Sequence, residues 1–376
     1  MRVMTVCGTR PEAIKLAPVV HAFRADPTVE HILCSTGQHR QMLDQVLDVF
    51  ELKPDHDINL MRPNQDLFYV TSAALEGVGL LIVETSPDWV IVQGDTTTAF
   101  AAALAAFYHQ VKVAHVEAGL RTGDIYSPWP EEMNRRLAGA LTTLHFPPTE
   151  FAADNLRREN VPELSICVTG NTVIDALCWM VDKIANNAEY RANLESRFAT
   201  FLTGRRIILV TGHRRENHGK GLEQVARGLR CLANRGDVEV VYPVHLNPRV
   251  QETAHAILSG HDRIHLIEPV EYAPFVALMR RAHLIVTDSG GIQEEAPSLG
   301  KPVLVTRDTT ERPEAITAGA ARLVGTETDT LVLAVTELLD NEAAYHAMAS
   351  VRSPFGDGHA SERILQRMKQ YPATSR

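Results

Sequence analysis

Two doubly wound, Rossmann-like α/β domains are the fold class this sequence predicts, and three observations carry that expectation. At 376 residues the chain exceeds one compact core of ordinary size. Short β-branched runs alternate with longer helical stretches along the whole length, the mark of repeated βαβ units and parallel sheets. The alternation then restarts after a polar stretch, Asn186 to Gly204, so the second half repeats the architecture of the first without its sequence.

In the first series the expected strands are Val3–Val6, Ile32–Ser35, Val90–Gln93, Val113–Val116 and Leu144–Phe146, with another over Ile166–Gly170. The second series runs Ile207–Val210, Val238–Tyr242, Ile264–Leu266, Leu284–Thr287, Val303–Val305 and Ala321–Val324. This sets an expected division into 1–168 and 169–357. Ligands in such sheets bind beyond the carboxyl ends of the strands, so chemistry is expected in the post-strand loops of two domains facing one cleft.

Composition narrows the function. There are 37 basic against 46 acidic residues and the net charge is -9, the wrong sign for a protein that neutralises nucleic acid or an anionic membrane. Five cysteines, Cys7, Cys34, Cys167, Cys178 and Cys231, are scattered without a C-x-x-C pair or zinc-type spacing, which suits a reducing, cytoplasmic setting and no metal. The amino terminus enters a strand directly, without the pattern of a signal peptide. No run reaches the roughly 18 unbroken apolar residues of a membrane span, and the longest candidate, Ala99 to Tyr108, reads as a buried helix.

The first strand leads into Cys7-Gly8-Thr9-Arg10-Pro11-Glu12 and a helix containing Lys15. Gly8 permits the tight turn and Pro11 suits a first helical turn. The pattern is not G-x-G-x-x-G, which disfavours a tightly held dinucleotide cofactor here. Arg10 and Lys15 fit an anion contact and fit a solvated first helix equally well. Gln93-Gly94-Asp95-Thr96 follows a buried strand, and Asp95 also suits a helix cap. The next strand ends in His115-Val116-Glu117, a second acid at the same rim. Glu131 and Arg135 then lie four apart at a helix start after Pro128-Trp129-Pro130. Taken singly that pair is a surface ion pair; together with Asp95 and Glu117 it makes a third carboxylate for one site, where packed acids shift one another's pKa toward acid–base work.

In the second series, Gly212-His213-Arg214-Arg215-Glu216-Asn217 forms a cationic loop after a strand. His213 there suits a hydrogen-bond or proton-carrying role, with no second metal ligand at useful spacing. Asp288-Ser289-Gly290-Gly291 joins a strand to a helix start. The backbone N–H groups of Ser289, Gly290 and Gly291 would receive a diphosphate, with Glu295 placed for ribose hydroxyls and Arg312 as a second cation. His245 and Asn247, also at the rim, read as structural.

Taken in order, G-T-R-P-E-A-I-K at 8, G-D-T-T-T at 94, H-V-E-A-G-L-R-T-G at 115, P-W-P-E-E at 128, G-N-T-V-I-D at 170, T-G-H-R-R-E-N at 211, D-S-G-G-I-Q-E-E-A at 288 and T-T-E-R-P-E at 309 resemble the bacterial non-hydrolysing UDP-N-acetylglucosamine 2-epimerases over nearly the whole chain. The resemblance implies a B-type glycosyltransferase-like fold, with the terminal segment 358–376 packing back on the first domain. It implies an isomerase that needs no cofactor and inverts C2 of UDP-N-acetylglucosamine, reversibly giving UDP-N-acetylmannosamine by anti elimination of UDP and re-addition through 2-acetamidoglucal. Asp95, Glu117, Glu131 and His213 become the catalytic set. Arg10, Lys15, Asp95, Glu117, Arg135, His213, Val270, Phe275, Ser289, Gly290, Gly291, Glu295 and Arg312 become substrate contacts, Val270 through its backbone to the uracil. Gln38, Gln41 and Gln65 match a possible effector site, and a homodimer is implied. A glycosyltransferase, a hydrolysing epimerase and a non-catalytic nucleotide-sugar sensor are the alternatives, separated by what becomes of UDP-N-acetylglucosamine supplied alone.

Overall fold

The structure is a computed structural model describing residues 1–201 and 204–372. It divides into two compact units, Met1–Cys178 with Phe355–Arg376, and Trp179–Pro354.

The first unit runs β1 (Arg2–Cys7), α1 (Arg10–Ala25), β2 (Glu30–Ser35), α2 (Arg40–Val49), β3 (His56–Asp57), α3 (Leu67–Thr85), β4 (Trp89–Gln93), α4 (Thr97–Tyr108), β5 (Lys112–Val116), α5 (Glu131–Leu141), β6 (Leu144–Phe146), α6 (Glu150–Arg158) and the start of α7 (Thr172–Asn186). Its sheet has the order β3-β2-β1-β4-β5-β6, and every pairing is parallel. Strands buried on both faces lose the polar alternation of a surface sheet, which is why Val90, Ile91 and Val92 form an unbroken buried run.

The second unit contains α8 (Ala188–Ser196), β7 (Arg206–Thr211), α9 (Lys220–Ala233), β8 (Val238–Pro243), α10 (Pro248–Leu258), β9 (Ile264–Ile267), α11 (Tyr272–Arg281), β10 (Ala282–Thr287), α12 (Gly290–Ser298), β11 (Val303–Val305), α13 (Pro313–Thr317), β12 (Ala321–Leu323), α14 (Thr328–Asp340) and α15 (Glu342–Ala349). Its order, β12-β11-β10-β7-β8-β9, repeats the first unit's topology strand for strand. In each unit the order reverses beside the first strand, between β1 and β4 and between β7 and β10, and that crevice is where such sheets bind ligands.

Three sequence expectations are corrected. Residues 166–170 are not a strand: Ile166 makes one bridge to His145, and the chain then leaves the sheet edge through Gly170 at φ 89°. The division falls within α7 at Cys178 rather than at 168, because Asn171 and Asp175 are bonded into the first unit. The longest apolar helix is α3, not Ala99–Tyr108. Among the described residues it alone is long and apolar enough to cross a membrane by length and composition, although Glu76 and Glu84 interrupt its run. The terminal helix α16 (Ala360–Lys369) belongs to the first unit, where Asp175 accepts from the N–H groups of Ala360 (3.2 Å) and Ser361 (2.7 Å); residues 373–376 of the expected terminal segment lie outside the described residues.

Candidate functional site

In the first unit the turn after β1 closes tightly. A Cβ on Gly8 would collide with the hydroxyls of Thr36 and Thr98, so only glycine fits. Glu12 turns back to accept from the N–H groups of Gly8 (3.1 Å) and Thr9 (2.8 Å), half of a capping box. Its other oxygen accepts from Thr96 Oγ1 at 2.7 Å, which ties the β1 turn to the β4 turn. Burial pushes this fully enclosed carboxyl up to about 7, against the opposing hydrogen bonds from Thr96, Thr9 and Gly8.

Lys15, one turn along α1, donates to both oxygens of Glu117 at 2.7 and 2.5 Å. Gln93 Nε2 also donates to Glu117, as does Asn171 Nδ2 at 3.0 Å. Glu117 is 6% exposed and sits at φ 60°, the left-handed region that a non-glycine residue enters at a cost. Asp95 accepts from Arg135 Nε at 2.9 Å, and its own carbonyl accepts from Asn134 Nδ2 at 3.0 Å. His115 Nε2 donates to the carbonyl of Gly94 at 2.7 Å. Burial lowers that imidazole to about 4, which leaves it neutral with its proton on the nitrogen facing the carbonyl.

Glu131, the first residue of α5, is half-buried and makes no hydrogen bond or ion pair with any described residue. Its neighbour Glu132 is fully buried. Burial alone would raise its pKa, but the amides of Thr122 and Gly123 and the Arg135 guanidinium hold it below the ordinary value. Arg10 is exposed and unbonded. Of the three glutamines, Gln65 Nε2 donates to the Gln38 carbonyl at 2.9 Å and Thr98 Oγ1 to Gln38 Oε1 at 2.8 Å, while Gln41 is exposed on α2.

The second unit organises its crevice around Asp288, 1% exposed at the end of β10. It accepts from the backbone N–H groups of His213 (2.9 Å) and Arg214 (2.8 Å), which pins the loop after β7 beside the turn after β10. The His213 ring stacks on His245 at 5.6 Å. Burial lowers the His213 pKa; Asp288 opposes the shift, and Arg214 and His245 add to it. Ser289 precedes α12 without a side-chain cap, and its own N–H, expected for a diphosphate, instead donates to Thr287 Oγ1 at 2.9 Å, which leaves the first-turn N–H groups from Gly290 onward for a ligand. Arg312 Nε is bonded to Glu294, and Glu295 receives the Tyr272 hydroxyl at 3.4 Å. Val270 and Phe275, both half-buried, lie in and just after the loop joining β9 to α11.

Each unit therefore gathers its own set: Lys15 with Glu117 and Asp95 with Arg135 in the first, His213, Ser289 and Arg312 at the β7 and β10 ends in the second. Glu131 and Arg10 join neither set by a hydrogen bond. Sequence reasoning assigned no role to Glu12, Gln93, Glu132, Asn134, Asn171 or Asp288. The signal for Glu12 was present, as Thr9-x-x-Glu12 before an apolar helix, and Glu132 has Arg135 and Arg136 at helical spacing; for Gln93, Asn134, Asn171 and Asp288 the partners are too distant in sequence to be read.

No group of three or more His, Cys, Asp or Glu side chains suited to a metal occurs among the described residues. Two doubly wound units built on parallel six-stranded sheets of one strand order define a class, the α/β proteins of glycosyltransferase-like fold. A glycosyltransferase from Rickettsia africae shares that fold at TM-score 0.59 and 13% identity, over 97% of this chain and 93% of its own. Within the class, the chain belongs to the UDP-N-acetylglucosamine 2-epimerase family, whose model matches residues 21–369. It is 56% identical to the UDP-N-acetylglucosamine 2-epimerase of Yersinia pestis over 375 residues, all of both chains. The crystal structure of the Neisseria meningitidis UDP-GlcNAc 2-epimerase bound to UDP-GlcNAc matches at TM-score 0.91 and 48% identity, over 98% of this chain and 100% of that one.

Proposed function

We propose that this chain interconverts UDP-N-acetylglucosamine and UDP-N-acetylmannosamine without net hydrolysis and without a redox cofactor. Family membership supports the substrate. The observation that carries the chemistry is Glu117: a buried carboxylate in a strained backbone conformation, reached by Lys15, Gln93 and Asn171, with Asp95 on the neighbouring strand end. Strain of this kind persists where the surroundings over-determine it, and it gathers at sites of chemistry.

C2 of the sugar is not acidic, so inversion there needs an indirect route. A base takes the C2 proton while the C1–O bond to UDP breaks. The C–H electron pair becomes the double bond of 2-acetamidoglucal, and the C–O pair departs with UDP. UDP oxygen then returns to C1, and an acid delivers a proton to the opposite face of C2. Asp95, Glu117 and Glu131 share the proton transfers. Arg10, Lys15 and Arg135 serve the sugar and phosphate oxygens and the orientation of the acids. His213, Arg312 and the Ser289-Gly290-Gly291 turn support the charge on the departing diphosphate. Glu295 takes the ribose, and the Val270 backbone and Phe275 take the uracil.

Asp95→Asn, Glu117→Gln and Glu131→Gln, assayed for solvent deuterium entering C2, test the assignment. At least one variant is expected to lose about 100-fold or more, and undiminished exchange in all three removes the carboxylates from the mechanism. The same reading assigns Gln38, Gln41 and Gln65 to an activating site for substrate, supported by the Gln65–Gln38 and Thr98–Gln38 bonds. It also makes the protein cytoplasmic, in keeping with its scattered free cysteines, and a homodimer, for which the exposed apolar side chains of α3 and α4 offer a surface.

A further inference from the structure

The cationic loop after β7 contains a side chain that none of the roles above uses. Asp288 holds the Arg214 backbone N–H at 2.8 Å, so the residue's position is set by the same carboxylate that precedes the Ser289 turn. Its guanidinium reaches that turn: a Cβ built on Gly290 would lie 3.9 Å from Arg214 Nη2 and 3.9 Å from Arg312 Cζ. Two guanidinium groups thus approach the first residue of α12, where the helix dipole already favours an anion.

The two arginines differ in what occupies them. Arg312 Nε is bonded to Glu294, and nearby Arg307 Nε is bonded to Glu216 at 2.5 Å. Arg214 Nε is buried without a hydrogen-bond partner, and its nearest carboxylate, Glu311, stands 3.7 Å from Nη2, beyond hydrogen-bond length. Space over the turn is open, since nothing lies within 4 Å of a Cβ on Gly291. A guanidinium whose Nη2 lies 3.7 Å from its nearest carboxylate, beside the uncapped start of α12, matches phosphate oxygens.

We propose that Arg214 is a direct diphosphate-binding residue, donating to UDP alongside Arg312 and the α12 N-terminus. This rests on the reading that the second unit binds UDP. Calorimetric titration of the full chain with UDP and with uridine tests it on the wild type, Arg214→Gln, Arg214→Lys, Arg312→Gln and, as an exposed neighbour control, Arg215→Gln. A charge-assisted hydrogen bond predicts that Arg214→Gln binds UDP about 10- to 100-fold more weakly, with uridine binding unchanged. Arg214→Lys, which keeps the charge and loses the fork, is expected between the two, and it carries the test if the glutamine variant does not fold. Arg215→Gln is expected to match the wild type. Wild-type affinity for UDP in both Arg214 variants, with Arg312→Gln weakened, overturns the role of Arg214 alone. Failure of the wild type to bind UDP overturns the underlying reading and this proposal with it.

Discussion

Glu12 shows how much a single buried acid can hold. It bridges two turns 84 positions apart in sequence, one leading to Arg10 and Lys15 and the other carrying Asp95. Because its pKa rises from 4.5 to about 7 on folding, the folded protein keeps a proton that the unfolded chain gives up. The stabilisation from that difference is fully present below pH 4.5 and is lost as pH rises through about 7. A shift of this size is worth roughly 3 kcal/mol. Urea unfolding on either side of that window should show the wild type losing stability with rising pH while Glu12→Gln, which cannot ionise, does not; parallel pH profiles would contradict the burial of an ionisable group there. The residue's first role was legible in the sequence, since Thr9-x-x-Glu12 announces a capping box. Its second was not, because nothing local distinguishes Thr96 from its threonine neighbours. Glu117 divides in the same way: its place at a strand end could be read, but its left-handed backbone and its ties to Lys15 and Asn171 depend on the assembled sheet.

At the scale of elements, most strands were readable because parallel strands buried on both faces become short unbroken β-branched runs. The failures fall at sheet edges. β3 has two residues, too few for any period, and 166–170 looked β-branched but bonds by a single bridge. α16 gains its N-terminal cap from Asp175, 185 and 186 positions away, where no sequence window could find it. α3 is the element whose outward face is unaccounted for by its own fold: Phe68, Leu80 and Val83 are 87%, 72% and 64% exposed. Phe107 and Tyr108 at the end of the adjacent α4 are also exposed, and exposed apolar side chains on neighbouring helices are candidates for an interface. If the proposed homodimer forms through this face, Leu80→Glu with Val83→Glu is expected to lower the sedimentation coefficient from that of a dimer to that of a monomer; a monomeric wild type contradicts the proposed dimer, and a variant that still sediments as a dimer contradicts this face.

For the whole molecule, two copies of one strand order create two switch points, and the proposed catalytic and nucleotide-binding residues cluster in the loops and first helical turns that follow strands, with Lys15, Arg135 and Glu295 a turn or more into their helices. The motif set carried the family, and the resemblance was needed for that. Composition and periodicity alone gave an α/β protein with anion-receiving turns and acids, and they left the glycosyltransferase, hydrolase and sensor alternatives standing. The central claim is inversion at C2 through a glycal, with UDP retained and returned. Proton NMR of the full chain incubated in deuterated water with UDP-N-acetylglucosamine as sole substrate tests it most directly. The account predicts an equilibrium mixture of the two UDP-sugars, both carrying deuterium at C2. Free N-acetylmannosamine with UDP, or epimers that keep the original hydrogen at C2, would contradict it.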